Sequence, residues 1–410
     1  MHNLLYKNKL SPYIYILILT LISTFILWLP FILKFNHING IKTSDISFET
    51  VLKHWDGPLY IIPAKTLYQT DHPVMQNRPL GLNPMYFAAH LPLYPLTIKI
   101  LSPVFGFPKA TLVSTLCASI MLFWLFYFFI SKYKLTKKPL LLTSVLMFIT
   151  PRFFVIRSIG SPEPLLMVLI LGSMLAFIEK KYLFAGLLGG LAVITKSPGG
   201  LLFPAYLFYL FINKGEKKLT ISILWILLIP IGLLLVFLLY GRQYGDFLAY
   251  FHSGDNLHLV FPPFSVFNYQ KPWVSESWLE EIVFIYFFYG VMVTTLMSSI
   301  MSKASFVMNQ MRKFFQDVFS KHEPKDNQSV QQILFCFSLI FFIALILVQH
   351  RDISRYALPL LPIALITFEK FFTSKKFLIV LIVLIPAIYA YAWNFMLVNV
   401  APISDWAPFL

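Results

Sequence analysis

Residues 12–35 read PYIYILILTLISTFILWLPFILKF, an almost uninterrupted apolar run near the start of the sequence. A helix needs roughly 20 apolar residues to cross the hydrocarbon core of a bilayer, so this run is long enough to span it. It is too long for the core of a signal peptide, and no small-residue cleavage site follows it. Lys7 and Lys9 precede the run. We therefore predict a retained first transmembrane helix whose N-terminal end lies in the cytoplasm.

The composition extends this prediction to the whole chain. Of the 410 residues, 58% are hydrophobic and only 12% are charged, whereas a soluble domain carries roughly a quarter of charged residues. Further apolar runs of membrane-spanning length follow the first one. Cys117 and Cys336 lie within such runs, which indicates small core residues rather than a disulfide or a metal site. The sequence therefore predicts an all-α polytopic membrane protein.

Basic residues recur as short clusters between the apolar runs rather than as one continuous basic face. The net charge of +15 therefore indicates topology signals and not nucleic-acid binding. Every second connection is rich in lysine, which predicts about eleven spans with the N-terminus inside and the C-terminus outside. The predicted spans are residues 12–35, 110–130, 140–155, 163–178, 182–195, 201–212, 220–240, 282–301, 332–348, 356–372 and 377–393.

We predict a single integral membrane domain over residues 1–410, without an internal repeat. It comprises a first extracytoplasmic loop with the active site, a second extracytoplasmic loop and a basic cytoplasmic loop, at residues 36–109, 241–280 and 302–331. Three prolines break the apolar stretch that starts at His90, which predicts a helix lying at the membrane interface. The basic loop is long enough for an amphipathic helix, although a solvated loop beside anionic lipid is the favoured interpretation.

Polar side chains concentrate on the predicted extracytoplasmic side. They are His54, Trp55, Asp56, Lys65, Asp71, His72, Arg78, His90, Arg152, Arg157, Glu163, Lys196, Arg242, Asp246, His252, Asp255, His258, Glu276, Glu280, Glu281 and the segment His350 to Tyr356. Ionisable groups at membrane depth usually face a cavity or a partner. A transporter would place them near the midplane, usually within matched repeats, and a channel would show rings of charge. Neither pattern is present, so the arrangement favours an enzyme that acts at the outer leaflet.

Two stretches of the first loop carry a family resemblance. HWDGPLYIIPAKTLY, from His54, precedes YFAAHLPLYPLTIKILSP, and together they resemble the GT-C superfamily of membrane glycosyltransferases, most closely its PIG-V-like mannosyltransferase branch. Members of that branch carry a W-D-x-x-[WY] element and then F-x-P-L-Y-P-L. Here Gly57 follows the Asp, and residues 90–96 read HLPLYPL with Leu91 in place of the usual aromatic. The segments SPEPLLMVL, GLAVITKSPG and RYALPLLP also resemble the family.

The resemblance implies that Asp56 is the catalytic residue. GT-C enzymes take a sugar from a polyprenyl phosphate, and a phosphate leaving group needs little protonation. The reaction needs a base for the acceptor hydroxyl, so one carboxylate suffices where a glycosidase needs two. The alternative is a structural role, because Asp is favoured at helix N-caps and Pro58 would suit the first helical turn.

Substrate contacts are predicted around this carboxylate. The candidates are His54, Trp55, Tyr60, His90, Glu163, Lys196, Arg355 and Tyr356. Glu163 would bind acceptor hydroxyls, or only complement a helix dipole. Lys196 and Arg355 would hold the donor phosphate; as alternatives, Lys196 is an interfacial lysine and Arg355 belongs to a local ion pair beside Asp352. Tyr60, Trp273 and Trp278 would stack on sugars or form an interfacial belt.

The predicted function is that of an inverting hexosyltransferase, and the resemblance implies that the transferred sugar is mannose. Its partners would be a polyprenyl-phosphate sugar donor, a glycan, glycolipid or protein acceptor, and membrane lipid, with no nucleic acid. No cofactor is implied, because no histidine pair has the spacing of a zinc site, although a divalent metal is compatible with the chemistry. The alternative is a flippase or transporter of a lipid-linked sugar, which needs no base. The short loops suit a multi-pass protein of a bacterial plasma membrane; the endoplasmic reticulum offers the same geometry.

Overall fold

The computed structural model describes residues 10–38, 40–43, 46–54, 56–213, 220–254, 259–268, 270–271, 274, 279–300 and 327–410, apart from the side chains of residues 41, 42 and 56. Regular structure in these ranges is almost all helical. The α-helices, labelled α1 to α19 in chain order, are Ser11–Ile32, Phe48–Leu52, Asp56–Thr66, Pro73–Gln76, Leu93–Phe105, Phe107–Lys132, Pro139–Phe148, Pro151–Ile156, Glu163–Ile178, Tyr182–Thr195, Leu202–Ile212, Leu228–Tyr244, Ala249–His252, Glu280–Ile300, Gln328–Ile346, Ile353–Tyr356, Leu361–Thr367, Glu369–Phe372 and Lys375–Val398.

Short elements complete this part of the chain. The 3-10 helices are Pro79–Gly81, Pro84–Ala89, Ser197–Leu201, Ile221–Leu227, Ser265–Phe267 and Leu358–Leu360. Strands β1 and β2, His37–Ile38 and Ile41–Lys42, form one antiparallel hairpin just after α1.

Six helical segments in the described ranges are long and apolar enough to cross a membrane. They are Ser11–Ile32, Phe107–Lys132, Ile221–Tyr244, Glu280–Ile300, Gln328–Ile346 and Lys375–Val398. The prediction of an all-α polytopic membrane protein is therefore supported. The count of eleven is not confirmed, because the other five predicted spans are apolar helices of 10–17 residues. At 1.5 Å per residue such helices are shorter than the hydrocarbon core of roughly 30 Å.

Helices α6 and α9 run in parallel and define the two ends of the bundle. Close to their first turns, the Ser161 backbone N–H donates to Thr115 Oγ1 at 2.9 Å. Just beyond their last turns, the Tyr133 hydroxyl donates to Glu179 at 2.7 Å. Residues that begin α6 and α9 therefore share one end of the molecule, and residues that follow them share the other.

Lysine-rich connections meet at the second of these ends. Lys132 pairs with Glu179 at 2.9 Å, and Lys138 Nζ donates to the Thr373 carbonyl oxygen at 2.9 Å. We call the part of the bundle around these four residues the basic end. The positive-inside rule predicts that the basic end faces the cytoplasm.

A thiol-labelling experiment tests this orientation. We expect a cysteine in Lys134→Cys, at the basic end, to be protected from an impermeant thiol reagent added outside, and one in Asp71→Cys, in the first loop, to react. The native Cys117 and Cys336 would be replaced by alanine beforehand. Labelling of position 71 from the cytoplasmic side alone would reverse the predicted topology. Positions 217 and 255, equally suited by sequence, lie outside the described residues.

Glycines allow α12 to pack closely on α10. A Cβ on Gly190 would lie 2.8 Å from the Leu228 carbonyl oxygen, and one on Gly232 would lie 2.9 Å from the Gly190 carbonyl oxygen. Gly186, one turn before Gly190, faces Trp225 in the 3-10 helix that leads into α12. Small residues four positions apart permit such close contacts between membrane helices. The contact fixes the last turn of α10, directly before Lys196.

Helix α5 is the helix predicted at the membrane interface. It has 13 residues, which is too few to cross a bilayer. Tyr94 and Ile98 are buried against the bundle, whereas Ile100 and Val104 are 67% and 78% exposed. This division into a packed face and an exposed apolar face suits a helix that rests on lipid.

Arg157 corrects the predicted grouping of extracytoplasmic charges. Its side chain is completely buried in the bundle, where the guanidinium donates to the hydroxyls of Thr24 at 3.0 Å and Ser23 at 2.9 Å. Its Nε donates to the Met147 carbonyl oxygen at 3.3 Å, and the Phe154 ring centroid lies 4.6 Å away. A charge at membrane depth is stable when it faces the bundle interior and its donors are satisfied. Arg157 thus joins α1 to the α7–α8 segment.

Candidate active site

A cavity of about 660 Å³ opens at the end of the bundle where α9 begins and α10 ends. This is the end opposite to the basic end. Its walls come from the first loop, the start of α8, the residues after α10, the segment 350–356 and the end of α19, with Tyr250 of the second loop and Glu281 at the start of α14.

One buried carboxylate beside this cavity holds two cations. Glu163 is 2% exposed, and its Oε1 accepts from Lys196 Nζ at 2.5 Å and from Arg355 Nε and Nη2 at 2.6 Å each. The Ser161 hydroxyl donates to the other carboxylate oxygen. The side chains of Lys196 and Arg355 line the cavity and remain partly exposed. Two cations share one anion here, so the cluster presents net positive charge to the cavity.

Each member of this cluster stands at a break in helical structure. Glu163 opens α9 between two prolines, where a negative charge also complements the helix dipole. Lys196 follows α10 in an extended conformation, with φ −159° and ψ 139°, before the 3-10 turn Ser197–Leu201. Arg355 lies in the four-residue helix α16. Because these residues lie at the ends of helices or in a short helix, their side chains can meet at one point beside the cavity.

A second ion pair lines the same cavity. Arg152 pairs with Asp352, and the guanidinium carbon of Arg152 lies 4.1 Å from the Phe395 ring centroid. His350 Nδ1 accepts the backbone N–H of Asp352 at 3.0 Å. The charged groups of the segment 350–356 therefore reach across the bundle, Asp352 to Arg152 and Arg355 to a carboxylate on α9. A purely local ion pair, the alternative interpretation for Arg355, does not describe them.

Aromatic side chains form another part of the wall. The rings of Tyr60 and His90 meet edge to face with centroids 4.7 Å apart, and both line the cavity. The Tyr68 hydroxyl donates to the His90 carbonyl oxygen at 2.5 Å, which fixes the position of His90. The Lys196 ammonium lies over the ring of Tyr356, with Nζ 5.6 Å from the ring centroid. Such ring faces suit contact with a sugar.

Tyr250, in the second loop, contributes a neutral hydroxyl. Burial raises the pKa of its phenol, although a hydrogen bond with Ser197 acts in the opposite direction. The hydroxyl of this cavity-lining residue therefore stays protonated at neutral pH and can donate a hydrogen bond.

His54 lies directly behind the cavity wall. It is 5% exposed, its ring centroid is 5.4 Å from that of Phe395, and its Nε2 is 3.3 Å from Asn399 Nδ2. Helix α3 begins two residues later at Asp56, and the Gly57 N–H donates to the His54 carbonyl oxygen at 3.0 Å. Trp55 and the Asp56 side chain lie outside the described part of the chain, so their predicted roles stay predictions.

The backbone nevertheless brings the start of α3 close to the Glu163 segment. A Cβ on Gly160 would lie 2.9 Å from the Gly57 Cα and 3.1 Å from the Thr111 Cβ, so the two backbones touch. Gly160 precedes Glu163 by three positions and Gly57 follows Asp56. The predicted base and the cation cluster therefore belong to one region of the fold.

Gly160→Ala is expected to disturb this contact. The added methyl would push against backbone, which cannot turn aside, so we expect a loss of roughly 1–3 kcal/mol in the free energy of unfolding and lower transferase turnover. The matched control is Gly172→Ala, where the nearest atom is the Leu188 Cδ1 at 3.3 Å, on a side chain that can move. Denaturant unfolding and turnover in detergent measure both effects. Equal behaviour of the two variants would remove the argument for a critical contact.

Several cavity residues escaped the sequence analysis, among them Tyr250 of the second loop and three residues at the end of α19. Tyr391, Phe395 and Asn399 line the cavity from α19 and the residue after it. Their spacing of four places them on one face of a helix, which is the signal that would have found them. Several predicted polar or aromatic residues lie outside the described residues, namely Asp255, His258, Trp273, Glu276 and Trp278, as does most of the loop 302–331.

Metal-ligating side chains do not gather in the described ranges: no group of three or more His, Cys, Asp or Glu there is close enough to hold an ion. His72 Nδ1 instead accepts the Val74 N–H at the start of α4, and His252 pairs with Asp246 at 2.6 Å. The absence of a resident metal therefore stays a prediction.

Comparison with known proteins bears on the region around the cation cluster. A sequence model of the dolichyl-phosphate-mannose-protein mannosyltransferase family matches residues 89–240. This match supports the GT-C superfamily. It takes in His90, Glu163 and Lys196 but neither Asp56 nor Arg355. No curated protein and no solved structure matches the chain. Membrane glycosyltransferase activity is thus supported in general, whereas the PIG-V-like branch is not confirmed.

Proposed function

We propose that this protein is an inverting membrane glycosyltransferase that moves mannose from a polyprenyl-phosphate donor to a glycan, glycolipid or protein acceptor. The observation that carries the proposal is the pair of cations, Lys196 and Arg355, that the buried Glu163 holds beside a cavity in a membrane-embedded bundle. Because the positive-inside rule assigns the basic end to the cytoplasm, the reaction belongs on the extracytoplasmic face. The short loops between the helices suit a bacterial plasma membrane, which we propose as the location of the protein.

The cation cluster suits the phosphate of the donor. Ammonium and guanidinium groups donate charge-assisted hydrogen bonds to phosphate oxygens, and Glu163 holds both Lys196 and Arg355 at the cavity wall. A polyprenyl-phosphate sugar is a phosphodiester with one negative charge, and the cluster of two cations and one carboxylate carries one net positive charge. Glu163 orients both cations in advance, so that binding costs little further ordering.

An apolar groove beside the cavity suits the polyprenyl chain. Helices α5, α10 and α12 line two adjoining hollows of about 250 and 430 Å³, which share Pro92, Ile194 and Leu239. Leu91 and Thr195, the chain neighbours of two of these residues, line the cavity itself. A lipid bound with its phosphate at the cation cluster would therefore leave its tail in the groove and in contact with the bilayer.

Asp56 is the proposed general base. It would take the proton from the acceptor hydroxyl while the oxygen attacks the anomeric carbon and the polyprenyl phosphate departs. One displacement inverts the anomeric configuration. Tyr60 and His90 are the proposed sugar contacts on the cavity wall, with Trp55, His54 and Tyr356 as further candidates.

The test is sugar transfer by the purified protein in lipid nanodiscs supplied with a radiolabelled polyprenyl-phosphate mannose and candidate acceptors. We expect mannose to appear on the acceptor with inverted configuration and polyprenyl phosphate to accumulate. The corresponding glucose and galactose lipids serve as matched donors that test the choice of sugar. Movement of the lipid-linked sugar across vesicle bilayers without a new glycosidic bond would favour a flippase and overturn the proposal.

A further inference from the structure

We infer that the segment 399–410, which follows α19, is a positioning element of the candidate active site: it holds His54 and helix α3 in place against the cavity. The catalytic consequence of this inference rests on the proposed function. The contacts themselves do not.

The first contact is a backbone bridge. Val400 pairs with His54 in an isolated antiparallel bridge, and the Ala401 N–H donates to the Lys53 carbonyl oxygen at 2.7 Å. Asn399, at the near end of the segment, approaches His54 Nε2 to 3.3 Å and lines the cavity. The two residues that precede Trp55 and Asp56 are therefore held by main-chain bonds to a segment made at the other end of the sequence.

The second contact is apolar. Ala401, Ile403 and Phe409 are 2%, 7% and 2% exposed, and they share one buried cluster with Leu59, Ile61 and Ile62 of α3. Trp406 packs against the same cluster. The segment thus packs directly against the apolar side chains of α3.

Polar contacts join the segment to residues at both ends of α3. Lys65, in the last turn of α3, donates to the Leu410 carbonyl oxygen at 2.5 Å. Before the start of α3, the Lys53 ammonium lies 5.6 Å from the Trp406 ring centroid, and Trp406 Nε1 donates to Glu49 at 3.4 Å. Contacts therefore occur before the helix, along it and at its end.

Helix α3 contacts both the segment and the cavity, because Leu59 and Tyr60 line the cavity and Leu59 also belongs to the shared cluster. Loosening the segment would let the whole helix shift, including its first residue, Asp56. The cation cluster is built on α9, α10 and α16, so it would stay. The structure therefore assigns to the segment a role in placing the base and the sugar contacts, with none in binding the donor phosphate.

The first test compares two alanine-to-proline variants of the full chain. Ala401→Pro removes the N–H that bonds to Lys53. Ala407→Pro is the matched control: its exposed N–H donates only to Asp405 within the segment, and proline suits the second position of the turn that the Phe409 N–H closes onto Trp406. We expect Ala401→Pro to speed amide hydrogen exchange in residues 56–66 and not in 11–32. Its kcat should fall about 10- to 100-fold, since a misplacement of about 1 Å costs this much. Affinity for decaprenyl phosphate should not change.

A second variant covers the case in which proline at the buried position 401 prevents folding. Ile403→Ala loosens the apolar contact without touching the cavity, and the same changes in exchange and kcat are expected. A disulfide should then rescue this variant. Lys53 and Ala401 are opposite each other across the bridge, so Lys53→Cys with Ala401→Cys, in a Cys117→Ala and Cys336→Ala background, would tie the segment down again. Activity should return on oxidation and fall on reduction.

The possible outcomes separate the two claims. Unchanged exchange in residues 56–66 and unchanged kcat in Ile403→Ala would overturn the positioning role. A parallel loss of decaprenyl phosphate affinity would also overturn it, because general unfolding would then explain the defect. If the wild-type protein transfers no sugar at all, the proposed function fails, and the exchange comparison still decides whether the segment positions α3.

Discussion

Asp56→Asn is expected to lower turnover by roughly 10²- to 10⁴-fold, the amount that general-base catalysis contributes. Asparagine has nearly the same size as aspartate and caps a helix about as well, so the start of α3 should keep its structure. The substitution removes the basicity of the side chain. We therefore expect the free energy of unfolding and the affinity for decaprenyl phosphate to stay near their wild-type values. The measurements are kcat with the lipid donor, a denaturant titration and a binding isotherm on the same preparation.

Asp56→Ala is the matched comparison, because it removes the cap as well as the base. It should lose the same activity and about 1 kcal/mol of stability in addition. If the residue only caps α3, the order of effects changes: the asparagine variant is active and only the alanine variant is harmed. In that case the carboxylate is structural, and Glu163 becomes the next residue to test as a base.

Lys196→Ala and Arg355→Ala are expected to weaken donor binding about 10- to 150-fold each. This range corresponds to the roughly 1.5–3 kcal/mol that a charge-assisted hydrogen bond contributes. Each single variant leaves Glu163 with the other cation as a partner, so folding should tolerate it. The measurement is the Kd for decaprenyl phosphate.

A lysine outside the cavity provides the control. Lys109 is exposed in the first turn of α6, at the same end of the bundle, and Lys109→Ala should leave the Kd unchanged. The double variant of Lys196 and Arg355 should lose less than the sum of the single effects, because the two residues share one carboxylate and one ligand group. An unaltered Kd in both single variants would show that Lys196 and Arg355 do not bind the donor phosphate. They would then be interfacial anchors.

The sequence predicted the class of the fold and singled out several residues that the structure places at the cavity, but not how they meet. Apolar runs are direct evidence of membrane helices, and ionisable residues at the ends of such runs are uncommon enough to mark Glu163, Lys196 and Arg355 as candidates. Their mutual pairing depends on which helices are neighbours. Neither residue spacing nor charge pattern contains that information, so Glu163 was predicted as an acceptor contact and not as the shared partner of two cations. Its direct contact with a substrate stays a prediction.

The unconfirmed span count and the placement of Arg157 also have physical causes. The count of eleven rested on hydropathy, which cannot distinguish a helix that crosses the bilayer from a shorter one enclosed by others. Arg157 was predicted on the extracytoplasmic face because it lies between the third and fourth predicted spans, but in the structure it is buried, where partners satisfy its charge. Those partners were the adjacent Ser23 and Thr24 in the middle of the first apolar run, and a polar pair at that depth is the feature that would have predicted a buried donor.

The groups that meet around the cavity are made at very different times during protein synthesis. Glu163 is bonded to a residue 192 positions later, and His54 to one 345 positions later. Because a chain emerges from the ribosome N-terminal end first, the first loop reaches its side of the membrane long before α16 and α19 exist. A nascent chain that carries Asp56, Glu163 and Lys196 still lacks Arg355 and the segment that holds α3. On the proposed function, the lipid carrier would be consumed only once α16 and α19 are in place, which would protect the carrier pool from unfinished enzyme.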